Sequence, residues 1–166
     1  LAKFMGGKKR FIDKLQMVFD EGLYDPANEP DIAYPYLFSY FKGEEWRTQK
    51  ETQRLLDKYF TTKPDGIPGN DDTGTMSSWA IFNMIGFYPD CPGLPEYTLT
   101  TPVFDKVTIR LDPKWYKEKE LVIESNRAQP GTLYINKVLL NGKKFNKYRI
   151  THDELVHGQH IYFDLK

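Results

Sequence analysis

The spacing of the apolar residues changes along the chain, from helical before about residue 95 to alternating after it, and no all-helical or all-sheet fold satisfies both. Phe11, Leu15 and Val18, widened by Ile12 and Phe19, predict a helix over 8–21 that Gly22 ends. Tyr34, Leu37, Phe38 and Phe41 predict a second over 31–42, with Pro35 in its first turn, where a missing N–H costs least. Trp46, Leu55, Leu56, Tyr59 and Phe60 mark a third over 44–61, with Glu44 and Glu45 near its positive end. Met76, Trp79, Ala80, Ile81, Phe82, Met84 and Ile85 cover nearly every side of a fourth over 75–85, and a helix that is apolar all round is expected to be buried.

From Tyr97 onward the period is two. Val107, Ile109 and Leu111 alternate with Thr108 and Arg110, and Leu121 with Ile123, Leu133 with Ile135, and Ile161, Phe163 and Leu165 repeat the pattern. Asn141-Gly142 predicts a tight hairpin, and Thr151 is a cap for a short helical turn over 153–156. The chain therefore reads as α+β, with helices in 1–95 and a small antiparallel sheet or half-sandwich in 96–166.

Charge divides at the same place. The whole chain balances 23 Lys plus Arg against 23 Asp plus Glu, but 1–95 holds 11 basic and 14 acidic residues and 96–166 holds 12 and 9. That balance argues against a nucleic-acid partner, which calls for a basic surplus. The apolar runs fall well short of the ~20 residues that span a bilayer, so no membrane span is expected. The chain starts at Leu1 rather than Met and has no apolar leader, which suggests a fragment or a processed chain. Aromatic residues make up 15%, enough either for a bulky core or for stacking on sugar rings. The single cysteine, Cys91, has no basic neighbour and reads as structural, and His152, His157 and His160 read as surface residues near a turn.

Two loops could carry chemistry. Gly69-Asn70-Asp71-Asp72-Thr73-Gly74 lies immediately before the fourth helix, whose N-terminus favours ionised carboxylates. Such a carboxylate suits a general base, and the same residue types also serve as helix caps. The loop fails the EF-hand pattern, since counting Gly74 as the sixth position puts Gly69 first and Ala80 twelfth. The second loop is Asn28-Glu29-Pro30-Asp31. Asp31 reads as a cap, whereas Asn28 and Glu29 are hard oxygen donors of the kind calcium takes, or simply an exposed acidic turn.

These stretches recur together in one known family. Asn28-Glu29-Pro30-Asp31, Pro35-Tyr36-Leu37, Trp46-Arg47-Thr48-Gln49, Asp65-Gly66-Ile67-Pro68-Gly69-Asn70-Asp71-Asp72-Thr73-Gly74, Met76-Ser77-Ser78-Trp79 and Gly86-Phe87-Tyr88-Pro89 resemble, in order, glycoside hydrolase family 92. Thr101-Pro102-Val103-Phe104-Asp105-Lys106-Val107-Thr108-Ile109 and Ile150-Thr151-His152-Asp153 extend the resemblance across nearly the whole chain. It implies a calcium-dependent, inverting exo-α-mannosidase, often α-1,2-specific, acting on mannose-containing oligosaccharides or N-glycans. It also implies that 1–95 are the last helices of an (α/α)6 toroid and 96–166 the C-terminal β segment. By that resemblance Asp72 is the general base. Asn70 stands where the family often has a second carboxylate that assists the water. Asp71 and Trp46 are candidates for substrate contact, and Asn28 and Glu29 for the calcium surroundings.

The family's catalytic acid is expected upstream of Leu1, in another part of the same parent chain, so the isolated 166 residues are expected to be inactive. Members are usually secreted, periplasmic or surface proteins. Ile32 and Ala33 stand where the commonest pattern has His, a departure that bears on the subsites. The alternative reading is a non-catalytic carbohydrate-binding or structural module.

Overall fold

The structure is a computed structural model that describes every residue except 128 and 130. It divides into two compact units, Leu1–Trp79 and Ala80–Lys166, with the division inside a helix.

The first unit is helical. α1 spans Lys8–Asp20 and buries Phe11, Ile12, Leu15 and Phe19 of the stripe expected from its spacing, with Val18 half-buried. α2 spans Glu45–Tyr59 and buries Leu55 and Leu56, together with Thr48, Gln49, Glu51 and Thr52. The buried polar groups on α2 are paired. The Thr48 hydroxyl donates to the carbonyl of Pro35 at 2.8 Å, and Glu51 meets Gln16 at 2.9 Å and the Arg54 guanidinium at 2.7 Å.

The segment expected to be a second α-helix is instead a run of 3-10 turns over Glu29–Tyr40. Pro35 lies inside it, lacks an N–H, and its ring clashes with the carbonyl four residues back in α geometry. The tighter i to i+3 turns avoid that ladder. They still bury Tyr36 and Phe38, and Phe38 packs against Phe19 at 5.9 Å between ring centroids.

α3 spans Thr75–Ile85. Met76, Trp79 and Ala80 are buried, but Ile81 is exposed, so the burial expected on every side is incomplete among the described residues.

The second unit carries two sheets. β1 (Phe87–Tyr88), β2 (Glu96–Leu99) and β7 (Arg149–Thr151) form an antiparallel sheet in the order β1-β2-β7. β3 (Lys106–Arg110), β4 (Glu120–Arg127), β5 (Ile135–Leu140), β6 (Lys143–Phe145) and β8 (His160–Leu165) form the other, in the order β3-β4-β8-β5-β6. β4 and β8 run parallel, so this sheet is mixed rather than wholly antiparallel. Asn141-Gly142 turns β5 into β6 as expected.

Alternation puts Leu121 and Ile123 of β4, Val138 of β5, and Ile161, Phe163 and Leu165 of β8 into one apolar cluster. Leu99 and Ile150 join it from the first sheet, and Leu155 from α4 (His152–Val156). Each such side chain contributes about 1.5–3 kcal/mol on burial. The connector after β1 is held by Asp90, which accepts from Thr98 Oγ1 at 2.6 Å and from Arg149 Nη2 at 2.8 Å.

His152 is half-buried, not a loose surface residue. Its Nδ1 lies 2.9 Å from the Tyr97 hydroxyl and its Nε2 3.3 Å from that of Tyr116. Among the described residues no helix is long and apolar enough to cross a membrane.

Candidate functional site

The two loops singled out by their composition meet inside the first unit. Gly69 has φ +65°, and a Cβ placed there would come within 2.6 Å of Ala27 Cβ and 3.0 Å of Ala27 Cα. Only glycine allows this approach in a left-handed conformation. The contact sets Asn70, Asp71 and Asp72 beside the turn that carries Asn28 and Glu29. A second tie comes from α3, where the Trp79 indole stacks on Phe60 at 5.4 Å and its Nε1 donates to the carbonyl of Ile32 at 3.3 Å. The acidic loop, the start of α3 and the 3-10 run are thus anchored to one another.

The neighbouring acids of the loop have different surroundings. Asp71 Oδ1 accepts from the backbone N–H of Ser77 at 3.0 Å, and its Oδ2 accepts from the Ser77 hydroxyl at 2.7 Å. The backbone bond to Ser77, followed by the hydroxyl bond, holds the Asp71 carboxyl below the usual carboxylate range. Asp72 differs. Its carbonyl accepts from Thr75 Oγ1 at 2.7 Å, while its carboxylate is exposed and has no hydrogen-bond partner among the described residues. Asp71 therefore bonds the first turn of the helix as a cap does, and the Asp72 carboxylate takes no part in that bonding. Asn70 is also exposed, and its amide has no partner among the described residues.

In the other loop Asn28 Nδ2 donates to Asp31 Oδ1 at 3.2 Å, and the backbone N–H of Asp25 donates to Asp31 Oδ2 at 3.3 Å. Using its amide nitrogen on Asp31 leaves Asn28 Oδ1 open as an acceptor. The charge of Asp31, with some burial, pushes the Tyr34 phenol up. Glu29 is exposed, with no side-chain partner among the described residues.

Two hard oxygen donors of the right type are therefore present, Asn28 Oδ1 and the Glu29 carboxylate. Among the described residues no group of three or more His, Cys, Asp or Glu converges on a metal position, and calcium takes 6–8 oxygens. By donor type Asn28 Oδ1 and the Glu29 carboxylate suit calcium, and by number they fall short of its shell on their own.

Trp46 lies in the first turn of α2 and is partly exposed. Its ring is covered by the Arg47 guanidinium at 4.5 Å, and Arg47 is itself bonded to Glu44 at 2.9 Å. The contribution of Ser77 was not legible in composition, because its bond to Asp71 spans six residues across a kinked turn.

Comparisons with known proteins bear on the family. The profile of the glycosyl hydrolase family 92 catalytic domain matches residues 1–166. An uncharacterized secreted glycosidase of Arthroderma benhamiae is 28% identical over 158 residues, which is 95% of this chain and 20% of that protein. The family GH92 α-mannosidase BT3965 of Bacteroides thetaiotaomicron, in complex with mannoimidazole, superposes with a TM-score of 0.86 at 30% identity. That match covers 96% of this chain and 22% of the α-mannosidase. The family GH92 inverting mannosidase BT2199 of the same organism gives a TM-score of 0.84 at 30% identity, over 99% of this chain and 25% of its own. The chain thus spans between a fifth and a quarter of the length of these relatives. With the match running its whole length, the chain belongs to glycosyl hydrolase family 92.

Proposed function

We propose that this chain is the base-bearing part of an inverting, calcium-dependent exo-α-mannosidase, with 1–95 belonging to an (α/α)6 toroid and 96–166 to a C-terminal β segment. The observation that carries the reading is Asp72, an exposed carboxylate without a partner on a loop that is otherwise pinned. That is what a general base needs, since its acceptor lone pairs must be open to a water.

In the proposed reaction the Asp72 carboxylate removes a proton from a water as that water attacks the anomeric carbon. The Asn70 amide orients the same water but cannot share its proton. A carboxylic acid elsewhere in the parent chain protonates the departing glycosidic oxygen. Separation of the two groups by roughly 6.5–9.5 Å leaves room for the water and produces inversion.

Trp46 offers a flat apolar wall to the C–H face of a sugar. Asn28 and Glu29 would hold calcium, and what calcium supplies when bound is a hard centre for the 2- and 3-hydroxyls of the terminal mannose. The substrate class is mannose-containing glycans, with an α-1,2 linkage as the preferred bond. The relative described as secreted supports a location outside the cytoplasm.

The test uses the full-length enzyme with α-1,2-, α-1,3- and α-1,6-mannobiose, following the first-formed anomer by NMR. The expected product is β-mannose, fastest from the α-1,2 substrate and lost with a calcium chelator. Asp72→Asn is expected to lower kcat by about 10²–10⁴-fold without unfolding the protein. Turnover near the wild-type rate in that variant sinks the base assignment. Activity unaffected by chelation sinks the calcium assignment alone, and α-mannose as the first product sinks inversion.

A further inference from the structure

We infer that Asp71 and Ser77 are positioning residues, a side-chain clamp that sets the direction in which Asp72 points. The inference rests on the reading of Asp72 as the base.

The clamp closes on itself. Both oxygens of Asp71 accept from Ser77, through its backbone N–H at 3.0 Å and its hydroxyl at 2.7 Å, with the Met76 N–H as a lesser partner and the Gly74 carbonyl a second, longer acceptor for the same hydroxyl at 3.2 Å. Between the two jaws lie Asp72, Thr73 and Gly74, the first of α3's preceding turn, and Thr75 and Met76, which open the helix. Inside that span the N–H of Gly74 donates to the carbonyl of Asp71 at 3.0 Å, and Thr75 Oγ1 donates to the carbonyl of Asp72 at 2.7 Å. The backbone on either side of the Asp72 side chain is therefore fixed by hydrogen bonds, while the carboxylate itself carries none.

The turn also has a cost that something must hold in place. Thr73 has φ +54° and Gly74 φ +76°, two successive left-handed residues of which the first is β-branched. Such a conformation persists only where its surroundings over-determine it. An ordinary cap bonds the N–H two or three residues on; here the acceptor is six residues from Ser77, because the left-handed pair inserts an extra turn between acid and helix. That geometry turns the Asp71 carboxylate back toward the helix, while the Asp72 carboxylate stays exposed and outside the bonding. Since the bonds to Ser77 favour the ionised form of Asp71, the clamp stays closed as pH falls through the ordinary carboxylate range. On this reading Asp71 serves the helix end rather than the sugar.

The experiment compares Ser77→Ala, Ser77→Thr and Asp71→Ala with Asp72→Asn in the full-length enzyme, measuring kcat, KM and melting temperature for each. Ser77→Ala removes one hydroxyl and leaves the backbone N–H, so it carries the test even if Asp71→Ala does not fold. Loss of aim is expected to lower kcat by about ten- to a hundredfold with KM changed less than about threefold, since small misplacements of a catalytic group act on the chemical step. Ser77→Thr, which keeps the hydroxyl, is expected to restore most of kcat. The Asp71→Ala/Ser77→Ala double variant is expected to be no worse than the more damaged single, as befits two halves of one interaction.

Three outcomes overturn the proposal. A kcat within about twofold of wild type in Ser77→Ala, with only a lowered melting temperature, leaves a plain helix cap. A raised KM at unchanged kcat in Asp71→Ala returns that residue to the sugar. Loss of kcat in Ser77→Thr equal to that in Ser77→Ala removes the hydroxyl from the account. An active Asp72→Asn enzyme, by contrast, fails the base reading itself, whatever the clamp variants do.

Discussion

Asp71 and Asp72 are identical side chains one residue apart, and what separates them is which N–H and O–H groups reach them. Tyr88 shows the same dependence on surroundings in another chemistry. Burial, followed by the charge of Asp90, pushes its phenol from 10 up to about 12. The fold thus favours the neutral phenol. That contribution is fully present below the unfolded value near 10, and it is lost as pH rises from there through about 12. Absorbance titration of the tyrosines is expected to show a late phase near 12 that disappears in Tyr88→Phe. A titration identical in the variant would place the late phase elsewhere. Residue types and order made the acidic loop legible as either a cap or a base. Which acid bonds the helix was not legible from residue types, because the left-handed conformation of Thr73 shifts the helix end by a turn, and a threonine gives no local signal for it.

Among the elements, those with a strong period and clear ends were read well. α1 and α3 lie within a residue of their expected bounds, because stripe and stop signal agreed. The 3-10 run over Glu29–Tyr40 was not, since its aromatic spacing fits a helical stripe while Pro35 forbids the α ladder. The parallel pairing of β4 with β8 was also hidden, because alternation reports which face a residue takes and not which strand lies beside it.

α4 is short enough to depend on its end. Thr151 Oγ1 accepts from the Glu154 N–H at 3.1 Å while the Glu154 carboxylate accepts from the Thr151 N–H at 3.0 Å, a reciprocal capping box. Thr151→Ala is expected to lower the stability of the β unit by about 0.5–2 kcal/mol in denaturant unfolding. The bonds from Thr151, then Lys147, hold the Glu154 carboxyl below its usual range. This contribution is therefore present above the ordinary carboxylate pKa and fades as pH falls through the depressed one. An unchanged midpoint in the variant would show that the packing of Leu155 and Val156 holds the turn by itself.

For the whole molecule, the coarse architecture was readable from the pattern of apolar residues, and the expectation of an incomplete site came from the family resemblance. The switch of period announced helices followed by strands, and each kind of element has its own buried residues. In the proposed reading the candidate site contributes one base, one water-orienting amide and part of a calcium shell. An inverting glycosidase needs a second carboxyl group on the other side of the bond. We therefore expect the purified 166-residue chain to release no mannose from mannobiose, with or without calcium. Mannose release above the buffer rate would mean that an acid within this chain suffices.

The three tryptophans have a practical consequence for anyone following this protein in solution. Trp79 is 2% exposed, Trp46 40% and Trp115 73%. Their fluorescence is consequently a composite of a shielded, blue-shifted emitter and two that water and iodide reach. Trp79 is stacked on Phe60 and bonded to Ile32 in the helical unit, so the unquenchable part of the light reports the anchoring of the acidic loop. The quenchable light combines Trp46, on the helical unit, with the more exposed Trp115, on the β unit.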